Sequence, residues 1–139
     1  MFTLLVNIDV GDLGRAVDFY TAGLGLTVRR RLAPNIVELQ GGSSPVFLIE
    51  HPAGSLPSPQ VASAREYRRH WTPVHLDFVV PELAPAIRRA ESAGAQAEGT
   101  TQEFPWGRYI VMADPFGNGF CLLQFEGSGY ASVDASEVG

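Results

Sequence analysis

The chain repeats a strand-then-helix pattern, and the two copies stand 70 positions apart, Leu5 matching His75. In the first copy Leu5-Val6-Asn7-Ile8-Asp9-Val10 leads into Asp12-Leu13, with Ala16, Val17 and Tyr20 following. In the second, His75-Leu76-Asp77-Phe78-Val79-Val80 leads into Glu82-Leu83, with Ala86, Ile87 and Ala90 following. Each copy first alternates with period two, as a strand does. It then switches to i, i+3, i+4, i+7 spacing, which makes one apolar stripe on a helix. A stacked solenoid needs at least ~3 units, so two copies specify a pair of modules in one fold.

The remaining elements follow from turn residues. Strand 3–10 precedes a helix that Asp12 can cap and that Gly23 or Gly25 ends. Strands then fit 26–32, 36–40 and 45–50, separated by Pro34-Asn35 and Gly41-Gly42-Ser43-Ser44. The second half gives strand 73–80, then a helix over 82–93 with Pro85 tolerated in its first turn and Gly94 as the stop. Strands 95–103, 108–113 and 119–125 complete it. Each half reads βαβββ, an α+β fold with a first module at 1–50 and a second at 73–126. The connection 51–72 is rich in Pro and Ser, and carries Arg65, Glu66, Arg68 and Arg69. A short charged helix fits 62–71. A connection this long in a compact domain reads as a lid or partner surface, or else as a plain solvated linker. The segment 127–139 is small and polar, and reads as a flexible tail.

At 139 residues the chain can bury roughly 68% of its unfolded surface. Its ten basic side chains are all Arg, and fifteen carboxylates bring the net charge to −5. That balance argues against non-specific nucleic-acid binding and favours neutral or cationic ligands. One Cys forms no intrachain disulfide and suits a reducing compartment. No apolar run approaches the ~18 residues of a membrane span, and the N-terminus reads directly as a strand. The expected location is the cytoplasm, away from membranes.

Alternation also separates the sheet faces. Leu4, Val6, Ile8 and Val10 oppose Leu5, Asn7 and Asp9; Val74, Leu76, Phe78 and Val80 oppose His75, Asp77 and Val79. The uniformly apolar face belongs under the helices, where burial stabilises by ~25 cal/mol per Å2. The other face mixes carboxylates and a His with apolar groups, as ligand pockets do. Strand 45–50 adds Val46, Leu48 and Glu50 to this face if it keeps the same parity, and the last strand adds Gly119, Cys121 and Leu123. The competing reading is an open, solvated sheet face.

These residues resemble the vicinal oxygen chelate superfamily of glyoxalase I, bleomycin-resistance proteins and extradiol dioxygenases. The marks are Val10-Gly11-Asp12-Leu13 with Ala16 to Tyr20, Leu24-Gly25-Leu26, His75 to Val80, and Asp114-Pro115-Phe116-Gly117-Asn118-Gly119-Phe120. The resemblance implies two βαβββ modules in an open, curved mixed sheet around a concave cleft, with helices on the outer face. It implies a homodimer as well. In metal-dependent members four ligands converge, and those positions carry over to Leu5, Leu48, His75 and Cys121. Leucine offers no lone pair, so no metal cofactor is expected; if a divalent metal is bound, His75 is the convincing ligand.

The expected ligand-binding set is Asn7, Asp9, Glu50, His75, Asp77, Trp106 and Cys121. His75 can orient a ligand or act as acid–base, and Trp106 can stack on a planar ligand or cap the core. Cys121 reads as a buried structural thiol. Trp71 and Tyr67 read as interface aromatics, and Arg29-Arg30-Arg31 as a solvated edge. The resulting expectation is a metal-independent protein of the bleomycin-resistance type, sequestering or recognising a small organic ligand such as an antibiotic or metabolite. That ligand is expected to be cationic or aromatic. The alternative is a lyase, isomerase or dioxygenase that uses an off-pattern metal, or a metal-free acid–base pair of His75 and Asp77.

Overall fold

A computed structural model describes residues 1–136. The first module runs β1 (Val6–Val10), α1 (Leu13–Asp18), a π turn (Phe19–Gly23), β2 (Thr27–Ala33), β3 (Ile36–Gln40) and β4 (Val46–Glu50). The second runs β5 (Leu76–Val79), α2 (Leu83–Ser92), β6 (Gln96–Phe104), β7 (Gly107–Ala113) and β8 (Gly119–Phe125). The strand orders are β1-β4-β3-β2 and β5-β8-β7-β6, with one parallel pair in each sheet. The open, mixed α+β architecture of tandem βαβββ modules is therefore present, and among the described residues β1 and β5 are free edges.

The repeat extends to helix capping. Asp12 accepts from the backbone N–H of Arg15 at 3.0 Å, as the sequence suggests. The Leu13 N–H donates to Glu50 Oε2 and the Leu83 N–H to Gln124 Oε1, both at 2.7 Å. Each module thus uses the end of its last strand to satisfy an orphan N–H at the start of its own helix.

One apolar core joins the modules. Val10, Ala16, Phe19, Leu39 and Leu48 pack with Ala90, Met112, Phe120 and Leu122 between sheets and helices. The tie between the halves is polar. Asp114, 5% exposed, accepts at Oδ1 from the N–H groups of Phe116 and Asn118. Its Oδ2 accepts from Asn118 Nδ2 at 3.0 Å and from Tyr20 Oη, across the module boundary, at 2.6 Å. Burial, reinforced by the Asp114 charge, raises the Tyr20 phenol well above its ordinary range. Two motif residues that carried the family resemblance, Tyr20 and Asp114, therefore act together as a buried structural joint.

Two expectations need correction. Residues 62–71 form no helix; the connection is an extended strap. Arg65 and Arg69 are drawn outward to Asp9 and Glu98, while Arg68 pairs with Glu66 inside the strap. Part of the supposed tail is folded as well, because Gly129–Val133 forms a 3-10 helix that brings Tyr130 onto Phe125 and Trp106. Residues 137–139 of that tail lie outside the described residues.

Candidate ligand-binding cleft

On the second module, strand pairing aligns Asp77 with Cys121 and Val111, and Val79 with Leu123 and Tyr109. Period-two alternation then points this whole set away from α2. A cavity of about 260 Å3 results, lined by Trp71, His75, Asp77, Trp106, Tyr109, Val111, Cys121, Leu123 and Tyr130. Phe104, Trp106 and Tyr109 stack, with interplanar angles of 1° and 18° about Phe104 and centroids 5.3 and 5.6 Å apart. Tyr130 closes against Trp106 at 5.2 Å, and Trp71 lies 4.8 Å from the His75 ring.

Within this cavity His75 Nε2 stands 3.2 Å from Asp77 Oδ1. Burial, then the neighbouring Asp77 carboxylate, pushes the Cys121 thiol up to about 11. Sulfur held as a neutral thiol is neither nucleophile nor ready metal ligand. Alkylation of Cys121 by iodoacetamide at neutral pH is expected to run at least about a hundredfold slower than for a free cysteine. Its rate should keep rising with pH past the ordinary thiol range. A rate that levels off near pH 8.5 would contradict the assignment.

A second cavity, of about 490 Å3, lies between β1 and β5 and shares His75 with the first. Asn7, Asp9, Thr72, Val74 and Asn118 are among its lining residues. Asp9 is already paired: Arg65 of the strap, its side chain 13% exposed, donates to Asp9 Oδ2 at 2.7 Å. The same guanidinium donates to Ser55 Oγ and the Leu56 carbonyl. Tyr67 Oη donates to the His51 carbonyl, Arg69 pairs with Glu98, and the His70 N–H donates to the Gly117 carbonyl. The strap is therefore fastened to both modules.

Of the residues expected from sequence, His75, Asp77, Trp106 and Cys121 share one cavity, and Asn7 and Asp9 join His75 in the other. Glu50 stands apart. Parallel pairing sets Val10 opposite Glu50 and Ile8 opposite Leu48, so Val46, Leu48 and Glu50 face the helix and not the cleft. The β4 residues paired with Asn7 and Asp9 are Phe47 and Ile49. The acidic cleft is accordingly reduced: Glu50 caps α1, and Asp9 is engaged in an ion pair with Arg65. The Arg29-Arg30 pair is only partly solvated, since both side chains clamp Glu38 at 2.9 Å and hold its carboxyl below the usual range. Sequence reasoning missed Tyr109, Tyr130 and the cavity role of Trp71. Extending the parity argument to 107–113 would have found Tyr109.

The metal positions are now testable on their chemistry. Module correspondence matches Asn7–Phe47 with Asp77–Cys121. The position equivalent to Cys121 is therefore Phe47, while Leu48 is fully buried in the core. Leu5 and Phe47 supply no donor atom. The remaining set is His75, Asp77 and Cys121, whose ligand atoms lie within 4.8 Å of one another. Half of the family's ligand shell is hydrocarbon, and the donors present do not fit it.

A glyoxalase-like domain profile matches residues 5–123. The chain belongs to the glyoxalase-like domain family. Solved structures agree on the fold. A glyoxalase-related enzyme from Fulvimarina pelagi is 23% identical, with a TM-score of 0.69 over 88% of this chain and 87% of that one. TioX from Micromonospora sp. ML1 is 19% identical, with a TM-score of 0.67 over 91% of this chain and 100% of that one. TnmS3, an antibiotic binding protein from Streptomyces sp. CB03234, is 19% identical, with a TM-score of 0.63 over 91% and 97%. No curated protein matches. This glyoxalase-like domain has no helix, among the described residues, long and apolar enough to cross a membrane.

Proposed function

We propose that this glyoxalase-like domain is a metal-independent receptor that sequesters or recognises a small organic molecule in its concave cleft. The observation that carries the reading is the aromatic cavity over β5, β7 and β8, where Trp71, Trp106, Tyr109 and Tyr130 surround a space with few polar groups. Apolar walls with a few fixed polar side chains are the usual build of a ligand site. Hydrocarbon at two of the four family metal positions supports metal-independence, and the antibiotic-binding description of TnmS3 supports the ligand class. Asn7, His75, Asp77, Trp106 and Cys121 remain the binding residues of this reading. A homodimer is part of the proposal, supported by exposed Leu4, Leu5, Val74 and Val79 at or beside the free strands β1 and β5.

Both tryptophans of the chain line the cavity, so intrinsic fluorescence reports on it directly. Titration with a panel of cationic, neutral and anionic aromatic compounds is expected to give saturable quenching by at least one cationic member. The absence of saturable quenching across the panel would overturn the reading. A second reading is favoured by the His75–Asp77–Cys121 cluster: an enzyme using these groups with a softer metal, or His75 and Asp77 alone as an acid–base pair. It requires that His75→Ala abolish a turnover which the intact chain possesses.

A further inference from the structure

We infer that the aromatic cavity of the second module is a receptor for a methylated ammonium group, an inference that rests on the small-molecule reading above. The walls are the rings of Trp71, Trp106, Tyr109 and Tyr130. Indole and phenol faces attract a cation through the ring quadrupole, Trp most strongly. Phe104 stacks on Trp106 at 5.3 Å and Phe125 packs edge-on at 6.1 Å; neither lines the cavity, and both hold the ring in place. Among the described residues, Asp77 is the one carboxylate lining the cavity, and none of the ten arginines lines it. The nearby Arg69 lies over Trp71 at 5.7 Å, but its charge is engaged by Glu98. A cavity with one carboxylate, aromatic walls and no arginine selects positive charge.

The floor decides which kind of positive charge. Val111, Cys121 and Leu123 offer no strong acceptor. A primary ammonium is a compact, strongly hydrated charge with three donors to satisfy. Here it would lose water and find one carboxylate, itself shared with His75. A tertiary or quaternary ammonium carries its charge under methyl groups, has at most one donor, and gains from apolar contact. The volume of about 260 Å3 falls below the ~300–1,000 Å3 of sites for whole drug-sized ligands. The cavity therefore takes a cationic head, and the rest of a larger ligand extends past His75 into the cavity between β1 and β5.

The test titrates the full chain with choline, its neutral isostere 3,3-dimethylbutan-1-ol, and ethanolamine, following tryptophan fluorescence. Choline is expected to bind at least about tenfold more tightly than either competitor. Trp106→Ala and the isosteric Asp77→Asn should each weaken choline by about tenfold or more, with the Asp77→Asn melting temperature little changed. Equal affinity for the neutral isostere or for ethanolamine would overturn the assignment, as would choline binding unaffected by both variants. If choline fails to bind at about 50 mM while neutral or anionic aromatic compounds quench saturably, the ammonium assignment falls and the receptor reading stands. If no compound quenches, both fall.

Discussion

Asp114→Ala is expected to lower the melting temperature by about 10–20 °C, a loss of roughly 3–5 kcal/mol. The carboxylate is buried and accepts four hydrogen bonds, three within its own turn and one from Tyr20 in the other module. Hydrogen bonds to a charged acceptor contribute about 1.5–3 kcal/mol each, and the orphaned donors add a desolvation cost. The sum is smaller than four independent terms because neighbours couple. Tyr20→Phe removes the inter-module bond alone and is expected to cost about 1–2 kcal/mol. Differential scanning calorimetry at neutral pH checks both. A shift of less than about 3 °C in Asp114→Ala would contradict the buried joint.

Gly117→Ala is expected to release the strap from the second module. Gly117 adopts φ +86°, a region that disfavours side chains, and an added Cβ would sit 2.6 Å from the Arg69 backbone nitrogen. That neighbour is backbone and cannot rotate away. Freeing the strap also frees Trp71, whose ring lies so close to Gly119 that an added Cβ there would be 2.6 Å from Cζ3. A cost of roughly 2 kcal/mol raises the open population about thirtyfold. Because the strap carries Arg65, Arg68 and Arg69, limited trypsin digestion reads that population directly. Cleavage within 65–69 should accelerate at least about tenfold in the variant, and ligand quenching should weaken with it. Unchanged cleavage would mean that the strap is not held where the contacts place it.

The elements of the fold were legible in the sequence, and the cleft only in part, for reasons that concern particular residues. Period-two alternation and apolar helical spacing located all eight strands and both helices, although the expected strands 3–10 and 73–80 each start three residues before β1 and β5, because each element is a local property of the chain. Asp77 and Cys121 were assigned to one face correctly because β5 and β8 keep their parity through parallel pairing, and His75, just before β5, lines the same cavity. The β4 assignment failed because the turn at 41–45 permits either parity, and the register is fixed by β1, about forty positions away in the pairing of Val10 with Glu50. The fate of Asp9 was hidden likewise, since its partner Arg65 lies 56 positions on. The strap reads locally as a polar linker; its order comes from contacts with elements the local pattern does not name. Tyr130 was set aside with a tail whose composition is otherwise small and polar. The same composition left unmarked the 3-10 turn that carries its ring to Trp106.

The central claim is that this cleft draws its chemistry from aromatic rings and not from a bound metal. Elemental analysis of the untagged chain, purified without chelator beside its His75→Ala variant, tests this most directly. The account predicts less than about a tenth of an equivalent of Ni, Zn, Fe, Mn or Cu per chain in both, because Leu5 and Phe47 close half of the ligand shell. Near-stoichiometric metal that disappears in His75→Ala would contradict it and make the His75–Asp77–Cys121 cluster a metal centre.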